Sequence, residues 1–285
     1  MRIGIVGKGA LGTVFAEALR PVATVRIAER GDVPPLALAD VDAVLVAVKT
    51  YDTVAALQAL RGVVRADVPI VSLQNGLDQV AQTTSALGSS RAIVLAPTTE
   101  AAYLDPSGAA HRIGRGTTTL GWAAERAGNF DLAALIALLR KAGLEARGTS
   151  PIEPHVWAKA IVNAALNPIT ALVGKPNGYV AENAAAAALA IALAREAAAV
   201  AAAEGIALPL EDAGEYVLDI ARATAPNRSS MLQDIERKRP TEIDSINGAI
   251  VRRGRALGVA TPENARMLDE IRRRSAALRR RSAAV

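Results

Sequence analysis

Residues 2–12, RIGIVGKGALG, join a short β-branched run to a glycine loop and the start of a helical pattern. In the spacing G-x-G-x-x-G, Gly7 permits a tight turn, Gly9 lets a pyrophosphate approach the backbone, and Gly12 lets the helix pack closely on the sheet. The amides at the start of that helix and its dipole favour an anion. This order of strand, loop and helix predicts a dinucleotide-binding site. The residues of the predicted site are Gly7, Lys8, Gly9, Ala10, Leu11 and Gly12.

The end of the second predicted strand bears on the choice of cofactor. It reads Arg26-Ile27-Ala28-Glu29-Arg30. An acid at this point binds the ribose 2′-hydroxyl of NAD, whereas an arginine pairs with the 2′-phosphate of NADP. Strand alternation decides which side chain faces the cofactor, and the sequence leaves that register open. We favour Arg30 and NADP(H), with Glu29 and NAD(H) as the alternative.

The pattern of apolar runs changes near residue 150. Before that point strands are predicted at residues 2–6, 23–28, 43–48, 70–73 and 92–95, with helices at 11–19, from about 53 and near 79, and two late strands within 108–121. Such alternation indicates a parallel sheet covered by helices on both faces. After Pro151 and Pro154 the strand patterns disappear and amphipathic helices follow. We therefore predict an α/β Rossmann-type domain over residues 1–150 and an all-α domain over residues 151–285.

Composition excludes several kinds of chemistry. The 285 residues include no Cys and two His, so disulfides, thiolate sites and histidine-rich metal sites are excluded, and no metal is predicted. Aromatic residues make up 3% of the chain, too few for a broad stacking platform for single-stranded nucleic acid.

Charge and hydropathy indicate a cytoplasmic protein that binds neither nucleic acid nor membrane. The net charge is +5, and six arginines at 272–274 and 279–281 account for the excess, since 5 − 6 = −1 for the rest of the chain. A solvated helix end explains such a tail. The Ala-rich segment 184–203 carries Arg195 and Glu196 at its centre, which favours a packed helix over a membrane span. That segment permits close packing within one chain or between two, so a homodimer stays open.

A polar stripe crosses an otherwise apolar helix in the second half. Lys159, Asn163 and Asn167 are spaced i, i+4, i+8, which keeps them on one face with a drift of about 40° per step. Their neighbours are mainly Ala, Ile, Val and Leu, so the helix must be largely buried. A buried lysine and two asparagines need polar partners or a polar cleft. We interpret the stripe as a functional site. Two later helix starts, at residues 227–234 and 240–248, are rich in donors and acceptors that could converge on a small polar substrate.

Seven sequence features, in this order along the chain, resemble those of the ketopantoate reductase family. They are the loop at 7–12, Val48-Lys49-Thr50-Tyr51, Gln74-Asn75-Gly76, the Lys159/Asn163/Asn167 stripe, Pro176-Asn177-Gly178, residues 229–234 and residues 241–248. The resemblance covers nearly the whole chain, and the last two features are the most specific. It implies a Rossmann domain followed by an α-helical domain. It also implies NADPH-dependent reduction of 2-dehydropantoate (ketopantoate) to (R)-pantoate, on the route to pantothenate and coenzyme A.

The resemblance also implies roles for individual residues. Lys159 matches the catalytic proton donor, and Glu242 matches the acid that contacts both substrate and cofactor ribose. Other substrate-binding positions match Asn163, Asn167, Asn177, Asn227, Arg228, Ser229 and Ser230. Further cofactor-binding positions match Arg30, Lys49, Asn75 and Ala102. Two alternatives stay open: a reductase of another small 2-oxo acid on the same fold, or a non-catalytic NAD(P)-sensing protein.

Overall fold

The computed structural model describes residues 1–29, 31–32, 34–105, 107–124 and 127–283, with side chains described as far as residue 278. It divides into two compact units. The first comprises residues 1–74 and 78–153, and the second comprises residues 75–77 and 154–285. The first unit is an α/β sheet structure and the second is helical, which confirms the predicted fold class.

Seven of the described strands of the first unit form one sheet in the order β2-β1-β3-β4-β5-β8-β9. The strands are β1 Arg2–Val6, β2 Thr24–Ala28, β3 Ala43–Val46, β4 Ile70–Ser72, β5 Ile93–Leu95, β6 Ala102–Leu104, β7 Ala110–Arg112, β8 Thr117–Trp122 and β9 Glu145–Gly148. Strands β1 to β5 pair in parallel, and β8 joins the sheet antiparallel to β5. The helices of this unit are α1 Ala10–Leu19, α2 Thr53–Gln58, α3 Gln79–Leu87 and α4 Leu132–Lys141.

The sheet is buried on both faces, as its continuous apolar strands require. Successive residues of a strand point to opposite faces. In β3, Leu45 belongs to the core shared with α1 and α4, whereas Val44 and Val46 belong to the core on the other face with α2. Phe15 and Leu139 fill the first core from the helices that cover it. This double covering is the usual arrangement for a parallel sheet.

The two late strands predicted within residues 108–121 both form, but they do not pair with each other. β7 makes a separate antiparallel hairpin with β6, whereas β8 enters the main sheet beside β5. A short β6 of three residues offers no periodic pattern long enough to read, so the sequence did not reveal the partner of β7.

The second unit is built from α5 Glu153–Val173, α6 Gly178–Glu182, α7 Ala184–Ala203, α8 Ala213–Ala223, α9 Ser230–Glu236, α10 Asn247–Leu257 and α11 Pro262–Ala283. Helix α7 packs against α6, α8, α10 and α11. Its fully buried residues include Ala190, Ala194 and Ala197, whose small side chains let neighbouring helices approach closely.

Two of these helices, α5 and α7, are long and apolar enough to cross a membrane by length and composition alone. In α5, 72% of the most apolar window is buried within the protein. Core helices of soluble proteins have the same character, so this observation is weak evidence for a membrane protein.

The glycine loop between β1 and α1 has no room for side chains at two of its positions. Gly7 has φ +104° and its amide donates to the carbonyl of Ala28 at 3.2 Å. A Cβ atom at Gly7 would lie 2.7 Å from Val48 Cγ1, and one at Gly12 would lie 2.0 Å from the Gly7 carbonyl oxygen. Both glycines are therefore required by the packing of the loop itself.

We expect Gly12→Ala to lower the free energy of unfolding by roughly 1–3 kcal/mol, because the added methyl group must displace backbone. Without that clash, alanine in a helix interior would stabilise by about 1 kcal/mol. Gly9→Ala is the matched control, since a Cβ atom there meets nothing within 4 Å. Guanidinium unfolding followed by circular dichroism measures both variants. Equal stability of Gly12→Ala and Gly9→Ala would contradict the packing described for the loop.

Candidate functional site

The first part of the candidate site is the start of α1. Gly9 precedes the helix with an extended backbone (φ −77°, ψ −178°), no side chain caps the helix, and its first turn carries no acid. A Cβ atom at Gly9 would meet nothing within 4 Å, so the space beside this residue is open. The first amides of a helix have no partner within the helix, and together with the positive end of the helix dipole they suit a phosphate group. These residues therefore fit the diphosphate of a dinucleotide.

A lysine of the same loop is paired with the acid at the end of β2. Lys8 Nζ lies 2.7 Å from Glu29 Oε1, with both side chains about half exposed. The Glu29 amide donates to Asp32 Oδ2 at 2.9 Å. An exposed pair of this kind contributes at most about 1 kcal/mol, so a charged ligand can displace it. Arg30, the favoured contact for a 2′-phosphate, lies outside the described residues.

A glutamine at the end of β4 holds the loop after β3 in place. Gln74 Nε2 donates to the Val48 carbonyl at 2.8 Å and to Thr53 Oγ1 at 2.6 Å. Lys49, predicted to contact the cofactor, is half-buried in the segment between those two acceptors. Ala102, the fourth position implied by the resemblance, is half-buried at the start of β6. Sequence reasoning assigned no role to Gln74, although it stands in the quoted Gln74-Asn75-Gly76 motif.

The second unit brings the polar stripe of α5 to Glu242. Asn163 Nδ2 donates to Asn75 Oδ1 at 3.3 Å, and Asn75 Nδ2 donates to Glu242 Oε2 at 3.1 Å. Glu242 is only 5% exposed, whereas Lys159 and Asn163 are half-buried. The two side-chain amides thus connect the stripe to a buried carboxylate. Asn75 belongs by its contacts to this helical unit, although it follows a strand of the first.

Lys159 is the titratable group most clearly perturbed in this cluster. The pKa of Lys159 is lowered to about 8. Burial lowers this pKa, and the nearby carboxylate of Glu242 offsets part of the effect. A charged group loses hydration when it is buried, so its neutral form is favoured unless an opposite charge is near. Lys159 is therefore an ammonium at neutral pH that can release its proton close to that pH, as a general acid must.

A second polar cluster lies at the other end of α5. Thr170 Oγ1 and Ser229 Oγ share a hydrogen bond of 2.7 Å, and Ser229 Oγ also accepts the Leu232 amide as the cap of α9. The backbone amide of Asn177 donates to the backbone carbonyl of Asn227 at 2.9 Å. These bonds hold the loop before α9 against α5 and the start of α6.

Two buried polar atoms near this cluster have no hydrogen-bond partner among the described residues. They are the donor Asn167 Nδ2 and the acceptor Asn177 Oδ1. Unpaired buried polar groups are rare in folded proteins, and they are available to a ligand. Arg228, by contrast, is exposed and pairs with Glu236 of α9, and Ser230 is exposed at the start of that helix.

In the part of the chain that the structure describes, no group of three or more His, Asp or Glu side chains could hold a metal ion. The chemistry that the two clusters offer is therefore that of a proton donor, a buried carboxylate and several amides.

Comparison with known proteins finds one family over both units. A model described as ketopantoate reductase PanE/ApbA matches residues 21–125, and one described as its C-terminal part matches residues 151–275. A relative from Pyrobaculum aerophilum, named 2-dehydropantoate 2-reductase, is 35% identical over 288 residues, which are 95% of this chain and 96% of the relative.

Solved structures agree with these matches. A PanE/ApbA family ketopantoate reductase from Ralstonia eutropha JMP134 is 27% identical with a TM-score of 0.87, covering 98% of this chain and 100% of that one. D-mandelate dehydrogenase in complex with NADH and anilino(oxo)acetate has a TM-score of 0.86 at 24% identity, covering 98% of this chain and 100% of that one. This second likeness shows a shared fold.

We expect Glu242→Gln to lower the pKa of Lys159 below its value of about 8, because the substitution removes the charge that raises it. Asp244→Asn is the matched control, since Asp244 is exposed and pairs with Arg272. NMR titration of protein with isotopically labelled lysine measures the pKa, and the spectrum of Lys159→Met assigns the signal. An unchanged or raised pKa in Glu242→Gln would contradict the electrostatic account of the cluster.

Proposed function

The chain belongs to the ketopantoate reductase family, and from that membership we propose that it reduces 2-dehydropantoate to (R)-pantoate with NADPH. The observation that carries the proposal is the half-buried ammonium of Lys159 beside Glu242, in a row of side-chain amides on α5. Reduction of a carbonyl needs a hydride at carbon and a proton at oxygen. This arrangement supplies a proton donor where negative charge develops on that oxygen.

Each residue of the stripe has a part in this proposal. NADPH, when bound, supplies the hydride that attacks C2 of the substrate. Lys159 donates a hydrogen bond to the carbonyl oxygen and then transfers its proton to that oxygen as the C–O bond becomes single. Glu242 keeps Lys159 protonated and accepts a hydrogen bond from a substrate hydroxyl. Asn75 donates a hydrogen bond to the carboxylate of Glu242 and accepts one from Asn163, whose side chain is also proposed to contact the substrate.

The cluster at the far end of α5 is proposed to hold the substrate carboxylate. Asn167 Nδ2 is a buried donor without a partner among the described atoms, which suits a carboxylate oxygen. We assign supporting contacts to Asn177, Asn227 and Ser229, whose positions are fixed by hydrogen bonds to one another's backbone or to α5. Arg228 and Ser230 complete the set proposed from the resemblance, and binding requires Arg228 to leave its ion pair with Glu236.

The cofactor is proposed to lie with its diphosphate at the start of α1. The residues proposed to hold it are Gly7, Lys8, Gly9, Ala10, Leu11, Gly12, Arg30, Lys49, Asn75, Ala102 and Glu242. NADPH is preferred in this proposal because Arg30 can pair with a 2′-phosphate. Glu29, which would repel that phosphate, is partly neutralised by Lys8. The reaction belongs to the formation of pantothenate and coenzyme A, and we place it in the cytoplasm.

The test is oxidation of NADPH by the purified protein with ketopantoate, with NADH in parallel. NADPH-selective turnover would support the substrate, the cofactor and the role of Arg30 together. Turnover with NADH alone would keep the activity and assign the ribose contact to Glu29. Cofactor binding without turnover would contradict the proposed substrate, and a panel of other 2-oxo acids would then identify the one reduced. Cofactor binding without reduction of any 2-oxo acid would favour the alternative of a non-catalytic NAD(P)-sensing protein.

Lys159→Ala is expected to lower kcat by at least about 100-fold, because the variant has no proton donor at the carbonyl oxygen. The dissociation constant for NADPH, measured by fluorescence titration, should not change. Lys175→Ala is the control, since it removes an exposed lysine shortly after the end of α5. Near-normal kcat in Lys159→Ala would exclude that lysine as the proton donor.

A further inference from the structure

A proline interrupts the hydrogen bonding of α5 at the end of its polar stripe, one residue after Asn167. Pro168 lies inside the helix and has no amide hydrogen. In an unbroken α-helix the amide of residue 168 would donate to the carbonyl of residue 164. Ala164 is fully buried, so its carbonyl cannot turn to bulk water for a replacement donor. The interruption falls next to Asn167 and separates it from Lys159 and Asn163.

The missing donor is replaced by a side chain from another helix. Asn247 Nδ2 donates to the Ala164 carbonyl at 3.0 Å. Asn247 is fully buried at the first position of α10, five residues after Glu242. A single amide group therefore joins the interrupted turn of α5 to the segment that carries Glu242.

A chain of hydrogen bonds fixes which end of this amide faces α5. Asn264 Nδ2 donates to the Leu193 carbonyl at 3.1 Å and to Glu196 Oε2 at 2.8 Å. Both of these partners are acceptors only, so Asn264 must present its oxygen to the other side. That oxygen accepts from Asn247 Nδ2 at 3.0 Å. Asn247 consequently directs its NH₂ group to both Asn264 and Ala164.

The same chain begins at the charged centre of the Ala-rich helix α7. The Glu196 carboxylate accepts the amides of Glu263 and Asn264, each at 2.9 Å, and so caps the start of α11. Glu196, Asn264, Asn247 and Ala164 thus connect α7, α11, α10 and α5 in series. The orientation of the turn at Pro168 is set by groups on three other helices.

We propose that Asn247 is a positioning residue that supplies the donor removed by Pro168 and thereby orients Lys159 and Asn163 relative to Asn167 and Glu242. The inference rests on the proposed function, in which those four residues act on one substrate. If stability of α5 were the only requirement, an ordinary residue at position 168 would satisfy the Ala164 carbonyl without help. With Pro168 in place, the Ala164 carbonyl is instead bonded to Asn247, so the turn between Asn163 and Asn167 is tied to the segment that carries Glu242.

The experiment is a double-mutant cycle of Asn247→Ala and Pro168→Ala in the full-length protein. We expect Asn247→Ala alone to lower kcat/KM for ketopantoate at least about tenfold, because Lys159 and Asn167 lose their fixed relation. Pro168→Ala restores the helical amide, so the loss caused by Asn247→Ala in that background should be at most about threefold. The dissociation constant for NADPH should change far less than kcat/KM in the three variants, because Glu242 is one of eleven residues proposed to hold the cofactor. The pH at which kcat/KM falls should change in Asn247→Ala, since Glu242 moves relative to Lys159.

Asn183→Ala is the matched control for a loss of stability without repositioning. Asn183 Oδ1 caps α7 in the same unit by accepting the Ala186 backbone amide at 3.0 Å, and it takes no part in the hydrogen bonds from Glu196 to Ala164. This variant should have a lower denaturation midpoint than the native protein and an unchanged kcat/KM. The decrease of the midpoint should be equal in the native and in the Pro168→Ala backgrounds.

Equal losses of kcat/KM from Asn247→Ala in both backgrounds, or no loss in the native one, would overturn the inference. If Asn247→Ala does not fold, the double variant must regain the fold, and its failure to do so would also overturn the inference. If Pro168→Ala alone abolishes turnover, the denaturation midpoints replace kcat/KM as the readout. Asn247→Ala must then lower the midpoint more in the native background than in the Pro168→Ala background. A native protein that does not reduce ketopantoate contradicts the proposed function instead, and the denaturation midpoints then still test the hydrogen bond.

Discussion

Holding an ammonium group on a helix made mainly of alanine, valine, isoleucine and leucine costs free energy, because burial removes the water that stabilises the charge. The structure offsets that cost at Lys159 with one carboxylate, Glu242, which is itself almost completely buried. The result is a lysine whose pKa lies at about 8 and whose proton is accordingly both present and transferable near neutral pH. Asn75 donates to that carboxylate and accepts from Asn163, and Asn247 joins the segment after Glu242 to α5.

The three residues 75–77 follow β4 in the chain but belong by their contacts to the helical unit. Gly76 has φ +86°, and a Cβ atom there would lie 2.3 Å from the Ser245 carbonyl oxygen. The Leu77 amide donates to that same oxygen at 3.3 Å, and Arg253 Nη2 donates to the Leu77 carbonyl at 2.8 Å. Only glycine permits this close approach. The segment that carries Asn75 is thus held by the backbone of Ser245 and by the side chain of Arg253.

The fold was predictable because its signals are local. The loop at residues 7–12 specifies strand, turn and helix within a single segment, and the apolar runs of β3 and β4 are continuous. Strand β9 was missed because Glu145 and Arg147 interrupt any apolar pattern, and only Ala146 among its residues is buried. The row Lys159, Asn163 and Asn167 was predictable from helical spacing alone. Spacing could not predict its partners, since Asn75 and Glu242 lie 84 positions before and 83 positions after Lys159. Glu242 was expected near Lys159 only because of the family resemblance.

Asn247 is a case in which a signal existed. Pro168 within a helical pattern predicts that the Ala164 carbonyl has no donor in its own helix, and a buried asparagine elsewhere in the chain is a suitable donor. The sequence does not say which asparagine fills that role, because the pairing depends on how α5, α10 and α11 pack. Contacts between segments that are distant in the sequence determine which of the candidate residues come together in a site.

The pH dependence of kcat/KM for ketopantoate tests the central claim most directly, because this ratio reports the ionisation of the free enzyme. The account predicts a ratio that is steady at neutral pH and falls about tenfold per pH unit above a pKa near 8, as Lys159 loses its proton. The same measurement on Glu242→Gln should place the fall at lower pH. A ratio that stays level up to pH values near the ordinary lysine pKa of about 10.4 would contradict a proton donated by Lys159.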